Sequence, residues 1–225
     1  MNFENEKRIA ALEAVSRVKE GMVVGLGSGS TSEYMIRKLG EEVAKGLRVK
    51  GVPSSRAAEK LGLDAGIPLI SLADAVTIDI NIDGADEFDP SLQLIKGGGG
   101  ALLREKILAH NSRYNIIIAD SSKQVEHLGN YKLPVETIPF ATRNILAELK
   151  EAGLKPLLRE VNGKPYVTDE NNNIIDLDIL GYPDLHELQD RLIRIPGLVE
   201  TGLFLNTTHL LIMGKGNATT TFKRN

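Results

Sequence analysis

Met22-Val23-Val24-Gly25-Leu26, followed directly by Gly27-Ser28-Gly29-Ser30-Thr31, reads as a short apolar strand turning at once into a helix through Tyr34, Ile36 and Leu39. The same alternation extends in both directions. Upstream, Glu6 to Lys19 predicts an amphipathic helix: Ile9, Leu12, Val15 and Ser16 recur near a 3.6-residue period, Val18 extends it, and Gly21 ends it. Downstream, Leu47 to Val52 predicts a second strand, and Ser54 or Ser55 can cap a short helix through Leu61. Pro68 to Ile70 and Val76 to Ile82 read as strands, Ala101 to Ala109 as a helix and Asn115 to Ala119 as another strand. Strands alternating with helices predict an α/β fold with a mostly parallel sheet, helices covering both faces.

Near Lys132-Leu133-Pro134 the pattern changes. Val135 to Ile138 predicts a strand and Thr142 to Glu151 a helix stopped at Gly153. Lys155 to Val161 and Tyr166 to Thr168 flank Asn162-Gly163, a strong hairpin-turn signal. A turn at Asn171-Asn172-Asn173 leads to a strand from Ile174 to Leu177, then a helix from Leu185 to Ile193 and a strand from Val199 to Leu205. That order matches a split βαβ module. Thr208 to Met213 reads as a buried strand returning to the first domain. The expected division is therefore residues 1–131 with 206–225, and an inserted α+β domain over 132–205.

Composition narrows the function. The chain has 225 residues, 42% of them hydrophobic and 25% charged, which suits a soluble globular protein with a substantial core. A net charge of -3 argues against a nucleic-acid partner, which requires a basic surface. Without cysteine there is no disulfide, thiolate nucleophile or thiolate metal site, which fits a reducing cytoplasm. The polar start, Met1 to Arg8, predicts no signal peptide, and no apolar run approaches a membrane span. His110, His127, His186 and His209 are scattered, with no pair at ligand spacing, so no dedicated metal site is expected.

The glycine turn after the first strand suits an anion. Backbone N–H groups and the positive end of the helix dipole converge there, and Ser28, Ser30 and Thr31 add hydroxyls. A tight turn with N-caps is the plainer alternative. A dinucleotide fingerprint fits poorly, since Ser30 stands at its third glycine and no acid lies over Lys45 to Ser55. A nucleotide P-loop lacks its Gly-Lys-Ser/Thr.

A second cluster lies between two apolar strands: Asp83-Gly84-Ala85-Asp86-Glu87, Lys96-Gly97-Gly98-Gly99-Gly100 and Arg104-Glu105-Lys106. Asp83 and Asp86 follow a strand at the edge where open α/β sheets place ligands. Their carboxylates could instead close an Asx-type turn, hold magnesium, or pair with Lys96. The glycine run is costly in chain entropy and can crowd backbone N–H groups onto a ligand as an anion nest; a mobile linker is the rival reading. Glu105 has Ala101, Leu102, Leu108 and Ala109 at three and four positions either way. Burial would raise its pKa while the helix start would lower it, which can leave a base poised for proton transfer. Arg104 and Lys106 also have mainly apolar neighbours, so the spacing does not single out Glu105, and a structural ion pair with either residue is the alternative. Lys7, and Lys123 after the Asn115–Ala119 strand, are further basic candidates.

Taken together, these blocks resemble the type A ribose-5-phosphate isomerase family. The likeness rests on Gly25 to Thr31, Asp83 to Glu87, Lys96 to Gly99, Arg104-Glu105-Lys106 and Ser122-Lys123-Gln124-Val125. Leu133-Pro134-Val135-Glu136, Ile138-Pro139 and Gly202-Leu203-Phe204 extend it over nearly the whole chain in family order. The resemblance implies a Rossmann-like domain with a smaller ferredoxin-like domain inserted before the final strands. It implies cofactor-free, metal-independent interconversion of D-ribose 5-phosphate and D-ribulose 5-phosphate, and a homodimer or homotetramer. It implies Glu105 as the proton-transferring base, with Asp83, Asp86 and Lys96 in substrate binding, ring opening and stabilising the intermediate. Ser28, Gly29, Ser30 and Thr31, with Gly84, Ala85, Gly97, Gly98 and Gly99, match substrate-binding segments; Lys7 and Lys123 match phosphate contacts. The chain departs from the family pattern at Ser28, where threonine is more familiar, and at Gly100 and Leu103, where alanine and threonine are frequent. Two rivals remain: a non-catalytic sugar-phosphate sensor, and a CoA transferase or amino-sugar-phosphate deaminase of similar architecture. Neither an output module nor a histidine within the matched blocks is present to support them.

Overall fold

The computed structural model describes residues 2–75 and 77–224. In chain order it contains helix α1 (Phe3–Val15), strand β1 (Val23–Leu26), α2 (Ser30–Ala44), β2 (Lys50–Pro53), α3 (Arg56–Asp64), β3 (Ile80–Gly84), β4 (Glu87–Phe88), β5 (Leu94–Ile95), α4 (Leu102–His110) and β6 (Asn115–Asp120). There follow β7 (Leu133–Thr137), α5 (Thr142–Glu151), β8 (Leu157–Leu158), β9 (Glu160–Val161), β10 (Lys164–Pro165), β11 (Asn173–Leu177), α6 (Leu185–Ile193), β12 (Leu198–Thr201), β13 (Leu203–Phe204), β14 (Leu210–Lys215) and β15 (Ala218–Lys223). The chain divides into two units. One takes the residues up to Ala85, Arg104–Gln124 and those from Asn206; the other takes Asp86–Leu103 and Val125–Leu205.

The first unit is built on a six-stranded sheet in the order β15-β14-β6-β3-β1-β2. β2, β1, β3, β6 and β14 run parallel, and only the edge strand β15 is antiparallel. Central strands of such a sheet are apolar throughout, as in Ile116, Ile117 and Ile118 of β6, all buried. β1 lies beside β3 closely enough that a Cβ at Gly25 would meet the Asn81 side chain.

The first helix corrects its expected span and face. It starts at Phe3, because the Asn2 side chain accepts from Asn5 N–H at 3.2 Å as an N-cap, and it ends at Val15 rather than Lys19. Its fully buried residues are Ala10, Ala11 and Ala14, while Ile9 and Leu12 are half-buried. Of the expected stripe Val15 and its extension Val18 are buried, and the small residues Ala10, Ala11 and Ala14 make up the rest of the buried apolar face of a helix that packs against β6 and β14. The strand expected over Val76 to Ile82 runs from Ile80 to Gly84, so Asp83 and Gly84 belong to it; Val76 itself lies outside the described residues. Pro68 to Ile70 contributes a single bridge, Leu69 to Gly51.

The second unit carries a four-stranded sheet, β12-β7-β11-β8, with every pairing antiparallel. Its chain order, β7-α5-β8-β11-α6-β12, is the ferredoxin-like split βαβ arrangement. Asn162 and Gly163 both adopt positive φ, 54° and 72°, and join β9 to β10 as a two-residue hairpin. The strand expected from Val199 to Leu205 is broken at Gly202: β12 joins the four-stranded sheet, while β13 pairs with β5, itself paired with β4. That second small sheet draws residues 86–103 and 125–131 into this unit instead of the first.

Candidate active site

Within the first unit, the strand order reverses between β1 and β3, the position where open α/β sheets bind ligands beyond their carboxyl ends. Two segments meet there. Asp83, 1% exposed near the end of β3, accepts on one carboxylate oxygen from Ser28 N–H (3.0 Å), Gly84 N–H (2.7 Å) and the Ser32 hydroxyl (3.3 Å). This closeness depends on Gly27, where a Cβ would stand 2.5 Å from Asp83 Cα. Ser28 was expected to offer its hydroxyl to an anion. That hydroxyl donates to Ser55 Oγ (2.7 Å) and lies 2.8 Å from Ser54 Oγ. Gly29, at φ 91°, begins α2 with no side-chain cap, so the N–H groups of Ser30, Thr31 and Ser32 have no intrahelical partner.

Glu6 is a buried carboxylate that the sequence alone did not single out. It is 2% exposed and accepts from Ser121 N–H (2.9 Å), the Ser121 hydroxyl (2.6 Å) and Gly216 N–H (2.8 Å). Burial opposes its ionisation, but the Ser121 hydroxyl and the two backbone N–H groups outweigh it and hold the carboxyl below its ordinary range. It thereby pins the 3-10 turn Ser121–Lys123, which carries half-buried Lys123. Its position at the head of the Glu6, Ala10, Ala14 row was a readable signal. Lys7, one residue on, binds Glu4 at 2.7 Å, and Glu4 also accepts from the Tyr34 hydroxyl on α2 at 2.8 Å. Glu105 lies in the first turn of α4, 5% exposed, with Leu102 and Leu108 buried beside it.

Within the second unit, the glycine run is a built loop. Lys96 is 3% exposed; its N–H donates to Gly202 O (2.9 Å) and its ammonium lies over the Phe204 ring, 5.4 Å from the centroid. Asp86 accepts from Gly98 N–H at 2.7 Å, so one of its oxygens serves the loop. Burial, with the Asp86 carboxylate adding to it, pushes the Tyr131 phenol up, which keeps it a donor. Glu87 accepts from Gly129 N–H (2.8 Å) and Tyr131 N–H (2.6 Å) and so holds the neighbouring loop. Space dictates three of the glycines: a Cβ at Gly97 would meet Leu102, at Gly98 Tyr131 and Asp86, and at Gly100 Tyr166. Gly99 faces open space. Arg159, also unforeseen, donates to Gly97 O and Gly98 O, both at 3.0 Å. Ala85 is half-buried at the end of the first unit's segment.

Among the described residues no group of three or more His, Asp or Glu side chains is placed to hold a metal ion. Among them, too, no helix is long and apolar enough to cross a membrane.

The family model for ribose 5-phosphate isomerase A (phosphoriboisomerase A) matches residues 50–218. The chain is 45% identical over 216 residues to ribose-5-phosphate isomerase A of Sphingopyxis alaskensis, covering 96% of this chain and 95% of that one. A solved ribose 5-phosphate isomerase A from Methanocaldococcus jannaschii superimposes with a TM-score of 0.92 at 40% identity, covering 96% and 97% of the two chains. A D-ribose-5-phosphate isomerase solved in complex with phospho-erythronic acid gives 0.96 at 39% identity, covering all of both. With a Rossmann-like parallel sheet, a ferredoxin-like module and near-complete coverage by these relatives, the chain belongs to the ribose 5-phosphate isomerase A family.

Proposed function

We propose that this chain interconverts D-ribose 5-phosphate and D-ribulose 5-phosphate by moving a proton through an ene-diolate, with Glu105 as the base. The overall reaction is that of its family. The observation that carries the assignment of roles is the burial of Asp83, Lys96 and Glu105, at 1%, 3% and 5% exposed. Charged groups so placed are costly unless compensated, and chemistry is a reason to keep them.

The phosphate is assigned to the N–H groups of Gly29, Ser30 and Thr31, with Lys7 and Lys123 as further contacts. The phospho-erythronic acid held by a relative supports a ligand of this kind. Asp83 is the candidate for acid–base help in opening the furanose, which exposes the C1 aldehyde; Asp86 binds substrate and shapes the glycine run. Glu105 takes the proton from C2 and returns it to C1, while a hydroxyl proton passes from O2 to O1. Negative charge grows on O1 in between. Lys96 and a nearby backbone donor stabilise it, a preorganised donor being worth about 3 kcal/mol. Gly84 and Ala85 place backbone beside the sugar. The hydrogen moves as a proton, so the chemistry asks for neither a redox cofactor nor a metal. Phosphate anchoring orients the sugar for this transfer.

The protein is proposed to work in the cytoplasm as a homodimer or homotetramer. Self-association is placed on the inserted module of residues 132–205, where Phe140 is 99% and Ile138 47% exposed. Turnover in heavy water tests the reaction type: solvent deuterium should appear at C1 of the ketose. Full retention of the C2 hydrogen in the product over many turnovers would indicate a hydride shift and contradict the reading.

A further inference from the structure

Arg159 uses four of its five N–H donors. Nε and Nη2 grip the Asp176 carboxylate at 2.9 and 2.5 Å, and Nη1 reaches both Gly97 O and Gly98 O at 3.0 Å. Both side chains of the pair are 15% exposed. Tyr166 adds a third support: its hydroxyl donates to Gly99 O at 3.2 Å, and the guanidinium carbon lies 5.9 Å from its ring centroid. Two successive carbonyls thus face one cation.

The consequence follows from peptide geometry. Every peptide bond among the described residues is trans, so each C=O is antiparallel to the N–H that follows it. With Gly97 O on Arg159, Gly98 N–H points the other way, and it is found on Asp86. With Gly98 O on Arg159, Gly99 N–H also points away from the guanidinium, at an exposed residue whose Cβ position is open. Gly97 O also accepts from Gly100 N–H at 3.0 Å, which closes a turn; the Arg159 fork adds a hold on that carbonyl and on the next one, Gly98 O.

We propose that Arg159, locked by Asp176, is a positioning residue for isomerisation: it sets the peptide planes of the glycine run so that Gly99 N–H is aimed at the developing oxyanion. This rests on the reading of Lys96 to Gly99 as the segment that binds substrate. A lysine cannot replace the fork, because one ammonium cannot span a carboxylate and two carbonyls in fixed directions.

The test compares wild type with Arg159→Lys and Arg159→Ala on four readouts: kcat and KM for D-ribose 5-phosphate, inhibition by 4-phospho-D-erythronate, inhibition by inorganic phosphate, and thermal midpoint. Phospho-erythronate carries a carboxylate where the ene-diolate charge develops; inorganic phosphate reports the phosphate loop alone. Arg159→Lys keeps a cation against Asp176 and serves where the alanine variant fails to fold. The expected result is kcat lower by about 10- to 100-fold with phospho-erythronate weakened by a similar factor, the scale of a misplaced donor. Inorganic phosphate inhibition should be unchanged. Millimolar methylguanidinium should restore part of kcat to Arg159→Ala. Wild-type kcat and phospho-erythronate inhibition in Arg159→Lys would overturn the proposal, as would equal weakening of both inhibitors. Lys96→Ala, run alongside, separates the premise: if it leaves kcat and phospho-erythronate inhibition intact, the reading of the glycine run fails, and the proposal with it.

Discussion

Gly27→Ala is a one-carbon change that should disable the enzyme by moving backbone. A Cβ at this position would lie 2.5 Å from both Cα and Cγ of Asp83. Ordinary carbon–carbon contact is about 3.5–4.0 Å, so β1 and β3 must part by roughly 1 Å at their carboxyl ends. No rotamer relieves this, because one of the atoms met is main chain. Overpacking of this kind costs about 1–3 kcal/mol of stability. The larger effect is on rate: the move separates Asp83 from Ser28 N–H and shifts the loop that begins α2. A displacement near 1 Å is worth on the order of 100-fold in turnover, or about 2.7 kcal/mol of activation free energy. The assay is steady-state kinetics with D-ribose 5-phosphate, paired with thermal unfolding. Gly46→Ala is the control, since Gly46 has φ 109° and open space about its Cβ position. That variant should lose about 1 kcal/mol of stability through backbone strain and keep its kcat. If Gly27→Ala kept kcat within about threefold of wild type, the link between the two strand ends and catalysis would be wrong.

Gly99→Ala meets nothing within 4 Å and has no positive φ, so its thermal midpoint should match wild type while KM for the sugar phosphate rises; an unchanged KM would remove Gly99 from the binding surface. Glu6→Gln should lose about 1–3 kcal/mol at pH 7, because an amide cannot accept all three donors that converge on the carboxylate. The Glu6 carboxyl titrates below its ordinary 4.5, so its contribution is present above that value and is lost as pH falls through the folded-state value. Urea unfolding should therefore show the gap closing in acid, and a gap independent of pH would assign the loss to packing.

Much of this was legible in the sequence, for local reasons. α5 and α6 begin and end where their apolar spacing and stop signals place them, and Asn162-Gly163 makes the turn its dipeptide prescribes. The strand β1 and the turn into α2 were equally local. What was hidden is long-range. Gly202 looks like a residue within one strand, yet it divides two sheets, because β13 finds its partner more than a hundred residues upstream in β5. β15 was not foreseen: Ala218 to Lys223 is polar and solvent-facing, an edge strand held by pairing rather than burial. At the site, Asp83 and Lys96 stood out in the sequence as charges bordering apolar runs; Glu105 shares its apolar surroundings with Arg104 and Lys106 and was singled out by the family resemblance alone. Arg159 did not stand out, since its importance lies in carbonyls about sixty positions away. The contacts of the Ser28 hydroxyl with Ser54 and Ser55, more than twenty-five positions on, were equally hidden.

The central claim is that one carboxylate, Glu105, carries the proton between adjacent carbons. The most direct measurement is the turnover of Glu105→Gln, which keeps the shape of a residue 5% exposed and removes its basicity. The account predicts kcat lower by at least about 100- to 10,000-fold, the range for loss of a positioned base, with phospho-erythronate binding still measurable. Turnover within tenfold of wild type would contradict it.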